Sequence, residues 1–406
     1  MDFTPTEEQA AARDLAARIF GDLATPERLS AAGTGSDPEL WKALCAAGLV
    51  SAVEELGLLG LVLLLEEQGR TTAQVPFAST CVYGLLAVAA HGSPEQRTRL
   101  LPGIGDGSVV VCGAVSGQGG VRARAARGER DGDGDGDGDG DGDRNGDQRD
   151  FTQGELSGTV PVVPWLRDAT HVLVADEQRG LWLAPVTDAV GVEAVELTAP
   201  WAAGRLTLEG APAERLGAAG VDDGAEAQQP HSRPPTPTPN PTPTSSPYAD
   251  VLATARTAFA GLQAGVGAGS LARAVAHVNA REQFGRPLAT RQAVQLRAAD
   301  AHMDIEAIRV TAYEAAWRRD AGLPYATHAL TAAWWASEAG QRVVHTGQHL
   351  HGGAGADLDH PVHRHFLWGR QLDAYLGGGG EVLQELGELI VSEEEEKEKE
   401  REVGEG

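Results

Sequence analysis

The chain has 406 residues, a formal net charge of −25 and three scattered cysteines, Cys45, Cys81 and Cys112. That acidity argues against nucleic acid or an anionic membrane surface as partner, and the absence of a CxxC pair fits a reducing cytoplasm better than a disulfide framework. The longest apolar run, residues 56–65, is about half of the roughly 20 residues that span a bilayer. The start, MDFTPTEEQ, has neither the basic nor the apolar region of a signal peptide, so a soluble cytoplasmic protein is expected.

With 42% hydrophobic but only 5% aromatic residues, the core must consist mostly of Ala, Leu and Val, which suits packed helices. The first residues read as helices with start signals. Thr4-Pro5-Thr6-Glu7 and Ser93-Pro94-Glu95-Gln96 are capping boxes with proline at the first helical position. Asp37-Pro38 starts another helix, with Leu40, Trp41, Leu44 and Cys45 on one face. Leu58, Leu61, Val62 and Leu65 recur at helical spacing until Gly69. This predicts a helical N-terminal domain over 1–107.

The periodicity changes after Leu101-Pro102-Gly103. Val109-Val110-Val111 and residues 156–163, 171–175, 181–186 and 205–208 are short β-rich runs between Gly, Pro and Asp, predicting a middle β-domain over 108–220. A disordered insertion is expected at 122–150, centred on a strict Gly-Asp alternation, and a disordered Pro/Thr-rich linker at 221–247. Neither can bury enough apolar surface to offset its ordering entropy. Helical patterns return over 248–391, with stretches to Ala280, from Thr290 to Asp320, from Tyr325 to Leu350 and from Gly380 to Ile390; a charged tail follows at 392–406.

Several motifs fail their own requirements. The Gly-Asp tract resembles the start of a calcium loop, but Gly142 stands where the twelfth-position acid belongs. His345, His349, His351, His360, His363 and His365 cluster without HExxH or cysteine spacing, so no metal site is assigned. No GxGxxG fingerprint, GxSxG elbow or Walker loop is present; Gly265, Gly267 and Gly269 lie in a helical pattern and suit close helix packing.

Two segments carry specific information. Arg281-Glu282-Gln283-Phe284-Gly285-Arg286-Pro287, followed by Arg291-Gln292, puts a guanidinium, a polar side chain and an aromatic ring at a helix end. Such a set can fork onto a pyrophosphate and offer a ring to a heterocycle; equally, it could be helix surface and a turn. His349-Leu350-His351-Gly352-Gly353-Ala354-Gly355 is a glycine-rich turn after a long helix, where backbone N–H groups can approach an anion.

Together and in this order, these segments resemble the C-terminal flavin signatures of the acyl-CoA dehydrogenase family. Phe3-Thr4-Pro5-Thr6-Glu7-Glu8-Gln9, Leu40-Trp41 with Ala47-Gly48-Leu49, Glu67-Gln68-Gly69-Arg70 with Val75-Pro76, and Leu156-Ser157-Gly158 resemble its other domains. The resemblance implies an α+β architecture: N-terminal helical domain, middle β-barrel and C-terminal four-helix bundle. It further implies FAD as cofactor, an acyl-CoA substrate, a homologous acyl-CoA dehydrogenase subunit as partner and an electron-transfer flavoprotein as acceptor. Arg281, Gln283, Phe284 and Gln292 would contact the adenosine-diphosphate half of a neighbouring subunit's flavin, with His349, Gly352 and Gly353 closing around it. The family usually has glutamine at the place of His349; here Gln348 is adjacent.

The family's reaction needs a positioned, dry carboxylate to take the substrate's α-proton. Most members carry it as glutamate in Tyr-Glu-Gly-Thr; the matching stretch here is Tyr375-Leu376-Gly377-Gly378, with Leu376 at the acid's place. The other known position, near Thr254-Ala255-Arg256, has no acid either, which leaves Asp250 and Glu381 as nearby substitutes. The usual Thr-Glu and Trp-Ile-Thr ring contacts are not recognisable, and Ala114-Val115-Ser116 and Ser157-Gly158-Thr159 stand near those places. Three readings follow: one half of a heteromeric dehydrogenase whose partner carries the glutamate, a complete homo-oligomer with a relocated base, or a non-enzymatic scaffold or regulatory relative that binds acyl-CoA or nothing.

Overall fold

The N-terminal helices begin where a side-chain oxygen can take up the free N–H groups of a first turn. The computed structural model describes residues 3–115, 120–125, 152–217, 246–375 and 377–404; the Gly-Asp tract, the Pro/Thr-rich stretch, Ser116 and Leu376 lie outside them. Helix α1 (Glu7–Leu23) starts two residues later than its sequence suggests. Thr6, not Thr4, is the cap, because Thr6 and Gln9 exchange both hydrogen bonds of the box and place Glu7 and Glu8 at the positive helix end. Then come α2 (Pro26–Ala32) and α3 (Pro38–Ala46), the latter capped as expected by Asp37. Helix α4 (Val53–Thr71) is kinked at Gly57. A π-helical turn over Thr80–Leu86 joins α5 (Phe77–Ser79) to α6 (Ala87–His91), and α7 (Pro94–Gly105) begins at the expected Ser93 and Gln96 box.

The apolar stripe of α4 runs past Gly69 to Thr71. Gly69 is no terminator: a Cβ there would collide with the Leu262 carbonyl. Gly265 likewise faces the Glu66 backbone and Gly269 the Arg70 carbonyl. These glycines bring α4 into backbone contact with α8 (Pro247–Ala280), the packing role that their helical pattern suggested.

One seven-stranded sheet fills the middle of the chain, in the order β1-β4-β5-β7-β3-β2 with β6 also on β7. It comprises β1 (Val111–Ala114), β2 (Arg122–Ala125), β3 (Gln153–Val163), β4 (His171–Ala175), β5 (Leu181–Pro185), β6 (Val190–Ala194) and β7 (Gly204–Leu216). Strand β7 is the spine: it pairs with β3 along one side and with β6 and then β5 along the other. Residues 122–125, expected to open a disordered insertion, instead form β2, antiparallel to β3 with Arg122 opposite Ser157. Neither β2 nor the exposed strand β6 has a sustained β-branched pattern, so only pairing reveals them.

The C-terminal helices are α8, α9 (Gln292–Asp320), α10 (Ala326–His351), α11 (Pro361–Leu372) and α12 (Gly379–Gly404). Helix α11 was hidden in the histidine-rich stretch, and α12 continues beyond Ile390 into the charged tail. Two carboxylates bind α9 to α4. Asp320 accepts the N–H groups of Leu58 and Leu59 at 2.8 and 2.9 Å. Buried Glu66 accepts from the Tyr313 hydroxyl at 2.7 Å and from Arg309 Nε at 3.0 Å. One core cluster runs continuously from the N-terminal helices through the sheet into the bundle. Among the described residues no helix is long and apolar enough to cross a membrane.

Candidate functional site

The end of α8 projects a short arm. Arg281 caps the helix, its N–H donating to His277 O at 2.8 Å. The chain then makes the smallest possible hairpin, β8 (Glu282–Gln283) against β9 (Arg286–Pro287). Its two turn residues, Phe284 and Gly285, both lie at positive φ, +55° and +76°. Such a turn favours Asn-Gly; a phenylalanine there is strained. Yet the Phe284 ring is 90% exposed, gaining nothing from the core. Arg291 lays its guanidinium 5.1 Å from the ring centroid and donates to Gln283 O at 3.4 Å.

The glycine-rich turn shares an apolar anchor with this arm. Helix α10 ends at His351, and Gly352 reverses the chain at φ +62° into a 3-10 turn over Gly352–Ala356. His349, Gly352 and Gly353 are exposed. Gln348, the neighbour of His349, instead donates to Gly355 O at 3.2 Å. One apolar cluster holds both segments: Ala274 and Val278 precede the arm, Leu288, Ala289 and Val294 follow it, and Leu350 adjoins the turn. All seven sequence-predicted binding residues thus lie at one end of the bundle. Among the described residues no carboxylate pairs with the Arg281 guanidinium.

The space between sheet and bundle is different. It is packed with aromatic side chains from distant parts of the chain. Trp165, in the turn after β3 and itself at φ 58°, stacks on Trp201 at 4.4 Å. Trp368 of α11 meets Trp201 edge-on at 5.4 Å, and Phe259 of α8 meets Tyr375 at 4.7 Å. Tyr375 and Tyr83 share a hydroxyl–hydroxyl hydrogen bond of 3.1 Å, and burial pushes both phenols up. The indole N–H groups of Trp165, Trp201 and Trp368 are buried without a partner among the described residues. Sequence reasoning missed this cluster. The available signal was eight tryptophans in a chain of 5% aromatics, among them Trp165 soon after Ser157-Gly158-Thr159.

The two substitute acids are both engaged. Asp250 accepts from the Tyr325 hydroxyl at 2.6 Å, pairs with His91 at 2.8 Å and has Arg319 at 3.7 Å. Burial raises its carboxyl, but the His91 hydrogen bond, the Arg319 charge and Tyr325 outweigh burial and hold it at about 2. Glu381 is exposed, and its carboxylate accepts the Gly378 N–H at 3.2 Å at the start of α12. Nearby, Arg256 forks onto Glu385 at 2.8 and 2.6 Å. The histidines disperse: His345 and His363 flank Phe366, His365 is buried, and His351 contacts His277 and His360. Among the described residues no three His, Cys, Asp or Glu side chains could hold a metal ion.

The N-terminal helices, the central sheet and the C-terminal helices with their exposed aromatic arm share one continuous core. Residues 6–108 match the acyl-CoA dehydrogenase N-terminal domain and residues 249–387 its C-terminal domain. The chain is 31% identical to acyl-CoA dehydrogenase FadE27 of Mycobacterium tuberculosis, over 95% of this chain and 98% of that one. Among solved structures, the steroid ACAD Tcur3481-Tcur3483 is similar at 36% identity and TM-score 0.78, covering 95% of this chain and 98% of that one. The ChsE4-ChsE5 complex from Mycobacterium tuberculosis is similar at 28% identity and TM-score 0.78, covering 96% and 99%. The chain belongs to the acyl-CoA dehydrogenase family, whose cofactor is FAD.

Proposed function

We propose that this chain is one subunit of a heteromeric acyl-CoA dehydrogenase that oxidises the α,β bond of an acyl-CoA thioester. It holds the adenosine-diphosphate end of a flavin whose ring lies in a homologous partner subunit, and that partner carries the catalytic glutamate. The observation that carries this reading is Phe284: a large ring, 90% exposed in a strained left-handed turn. Strain that the chain's own packing does not offset belongs to a binding feature. Arg281, with Gln283 and Gln292, would hold the pyrophosphate, and His349, Gly352 and Gly353, anchored to the same apolar cluster through Leu350, would close around it.

The rest of the chain supports the same division of labour. Trp165, Trp201, Trp368, Phe259 and Tyr375 fill the region between sheet and bundle with this chain's own rings. Asp250 is a poor base, since a carboxylate held at about 2 takes a proton reluctantly. Bound FAD supplies the hydride acceptor; this chain's share is to bind and orient the nucleotide end. Two similar structures bear the names of paired proteins, ChsE4-ChsE5 and Tcur3481-Tcur3483, the latter a steroid ACAD, which favours a homologous partner and a steroid or fatty acyl thioester. A cytoplasmic location and an electron-transfer flavoprotein as acceptor complete the proposal.

Co-expression with a homologous subunit that has an intact glutamate tests it. The complex is expected to contain one flavin per pair and to reduce an artificial acceptor with an acyl-CoA, while this chain alone does neither. An Arg281→Ala complex with unchanged flavin content would overturn the arm's role.

A further inference from the structure

Three imidazoles lie against the base of the arm, each from a different element. His277, in the last turn of α8, stacks on His351, at the end of α10, with ring centroids 4.7 Å apart and planes at 28°. His360, the cap of α11, meets His351 edge-on at 4.8 Å. Arg273 and Arg281 of α8 face the group, and Asp357, from the turn after α10, is the acid that acts on it. His349 is two residues from His351; on α11, His363, Arg364 and His365 follow His360. Arg364 and His365 are engaged elsewhere, with Thr72 and the Arg70 carbonyl, so the charges that act on the three rings are Arg273, Arg281 and Asp357.

Hydrogen bonding sets which ring can take a proton. His351 Nδ1 lies 2.7 Å from Gly347 O, so Nδ1 carries the hydrogen and Nε2 is free to protonate without breaking that bond. His360 Nδ1 accepts the Val362 N–H at 3.2 Å. Protonating His360 would sacrifice this cap and put a cation at the positive end of α11. His277 and His351 sit instead in the last turns of long helices, where the dipole favours a cation. What opposes the charging of His277 is burial first, then the His351 ring and the Arg281 charge.

A phosphate anion beside Arg281 offsets the arginine's share of that opposition and adds a negative charge that favours the imidazolium. We infer that a nucleotide diphosphate docking at the arm is bound together with a proton, taken up by the stacked pair His277 and His351. The inference rests on the proposed role of Arg281 and adds to it a pH dependence and two residues. Nucleotide affinity then rises several-fold as pH falls from about 8 to 6.

The test uses the full chain, alone and with its homologous subunit, titrated calorimetrically with FAD and with ADP-ribose, whose diphosphate esters do not titrate in this range. Buffers of different ionisation enthalpy report the protons exchanged. The expected result is proton uptake near pH 6.5 that His277→Gln and His351→Gln each reduce. His360→Asn keeps a capping oxygen and is expected to retain the uptake. Binding that Arg281→Ala weakens but that exchanges no protons would overturn this inference and leave the arm intact. Binding indifferent to Arg281→Ala, or none, would overturn both.

Discussion

Arg291 and Phe284 face one another across the exposed hairpin, the guanidinium 5.1 Å from the ring centroid. Both belong to the arm rather than the core, so the pair holds the ring upright instead of stabilising the fold. Phe284→Gly should therefore separate function from stability. Removing a side chain from the left-handed turn relieves about 1 kcal/mol of strain, so the chain's melting temperature should stay level or rise by a few degrees. Flavin content of the heteromer should fall. A drop in both, measured by calorimetry and absorbance, would mean that the ring is structural.

Asp250 predicts an acid limb. Its carboxyl is lowered from 3.8 to about 2 in the folded chain, so its stabilisation is fully present above the unfolded value and is lost as pH falls through about 4 to 2. The magnitude is about 2 kcal/mol. Asp250→Asn should cost about that much at pH 7 and flatten the stability profile between pH 4 and 2, as read from denaturant titrations. An unchanged acid limb would show that His91, Tyr325 and Arg319 do not hold the carboxylate ionised.

Gly265 should tolerate no side chain. A Cβ there would overlap the Glu66 backbone, which cannot rotate away as a side chain would. Gly265→Ala is expected to destabilise by about 1–3 kcal/mol or more even though alanine is the better helix former. Gly387→Ala, on α12 with nothing near its Cβ, should be neutral to stabilising by up to about 1 kcal/mol, and the contrast is measurable by urea unfolding.

Trp165 anchors the ring cluster between sheet and bundle, fully buried against Trp201. Trp165→Ala should cost about 3–5 kcal/mol. Trp165→Phe keeps much of the packing while removing an indole N–H that has no partner; its cost should be markedly smaller, because an unsatisfied buried donor is itself unfavourable by about 1–3 kcal/mol. Equal losses in the two variants would show that the indole N–H is satisfied.

Local chemistry made much of this protein legible before folding. Asp37-Pro38 and Ser93 with Gln96 start helices because their hydrogen bonds are made within three residues. Arg281, Phe284 and the Gly352-Gly353 turn announce themselves because a helix end, a tight turn and a glycine pair are short-range features. The true position of the first cap was less legible, since Thr4 and Thr6 offer overlapping boxes and only formation of both reciprocal bonds selects Thr6. Strands β2 and β6 were illegible: Arg-Ala alternation and Val-Gly-Val-Glu-Ala become strands only when β3 and β7 supply the partner hydrogen bonds.

What the sequence by itself determined is the family, the order of helices, strands and helices, and the existence of an arm at the end of α8, all carried by motifs whose geometry closes locally. Tertiary structure alone decided that the arm and the glycine turn share one apolar anchor through Val278 and Leu350, and that five rings from separate segments fill the region between sheet and bundle. It alone also engaged Asp250 with His91 and Tyr325. The reason is sequence distance: contacts between residues tens to hundreds of positions apart leave no periodicity in the chain, and their energies exist only once the packing brings them together.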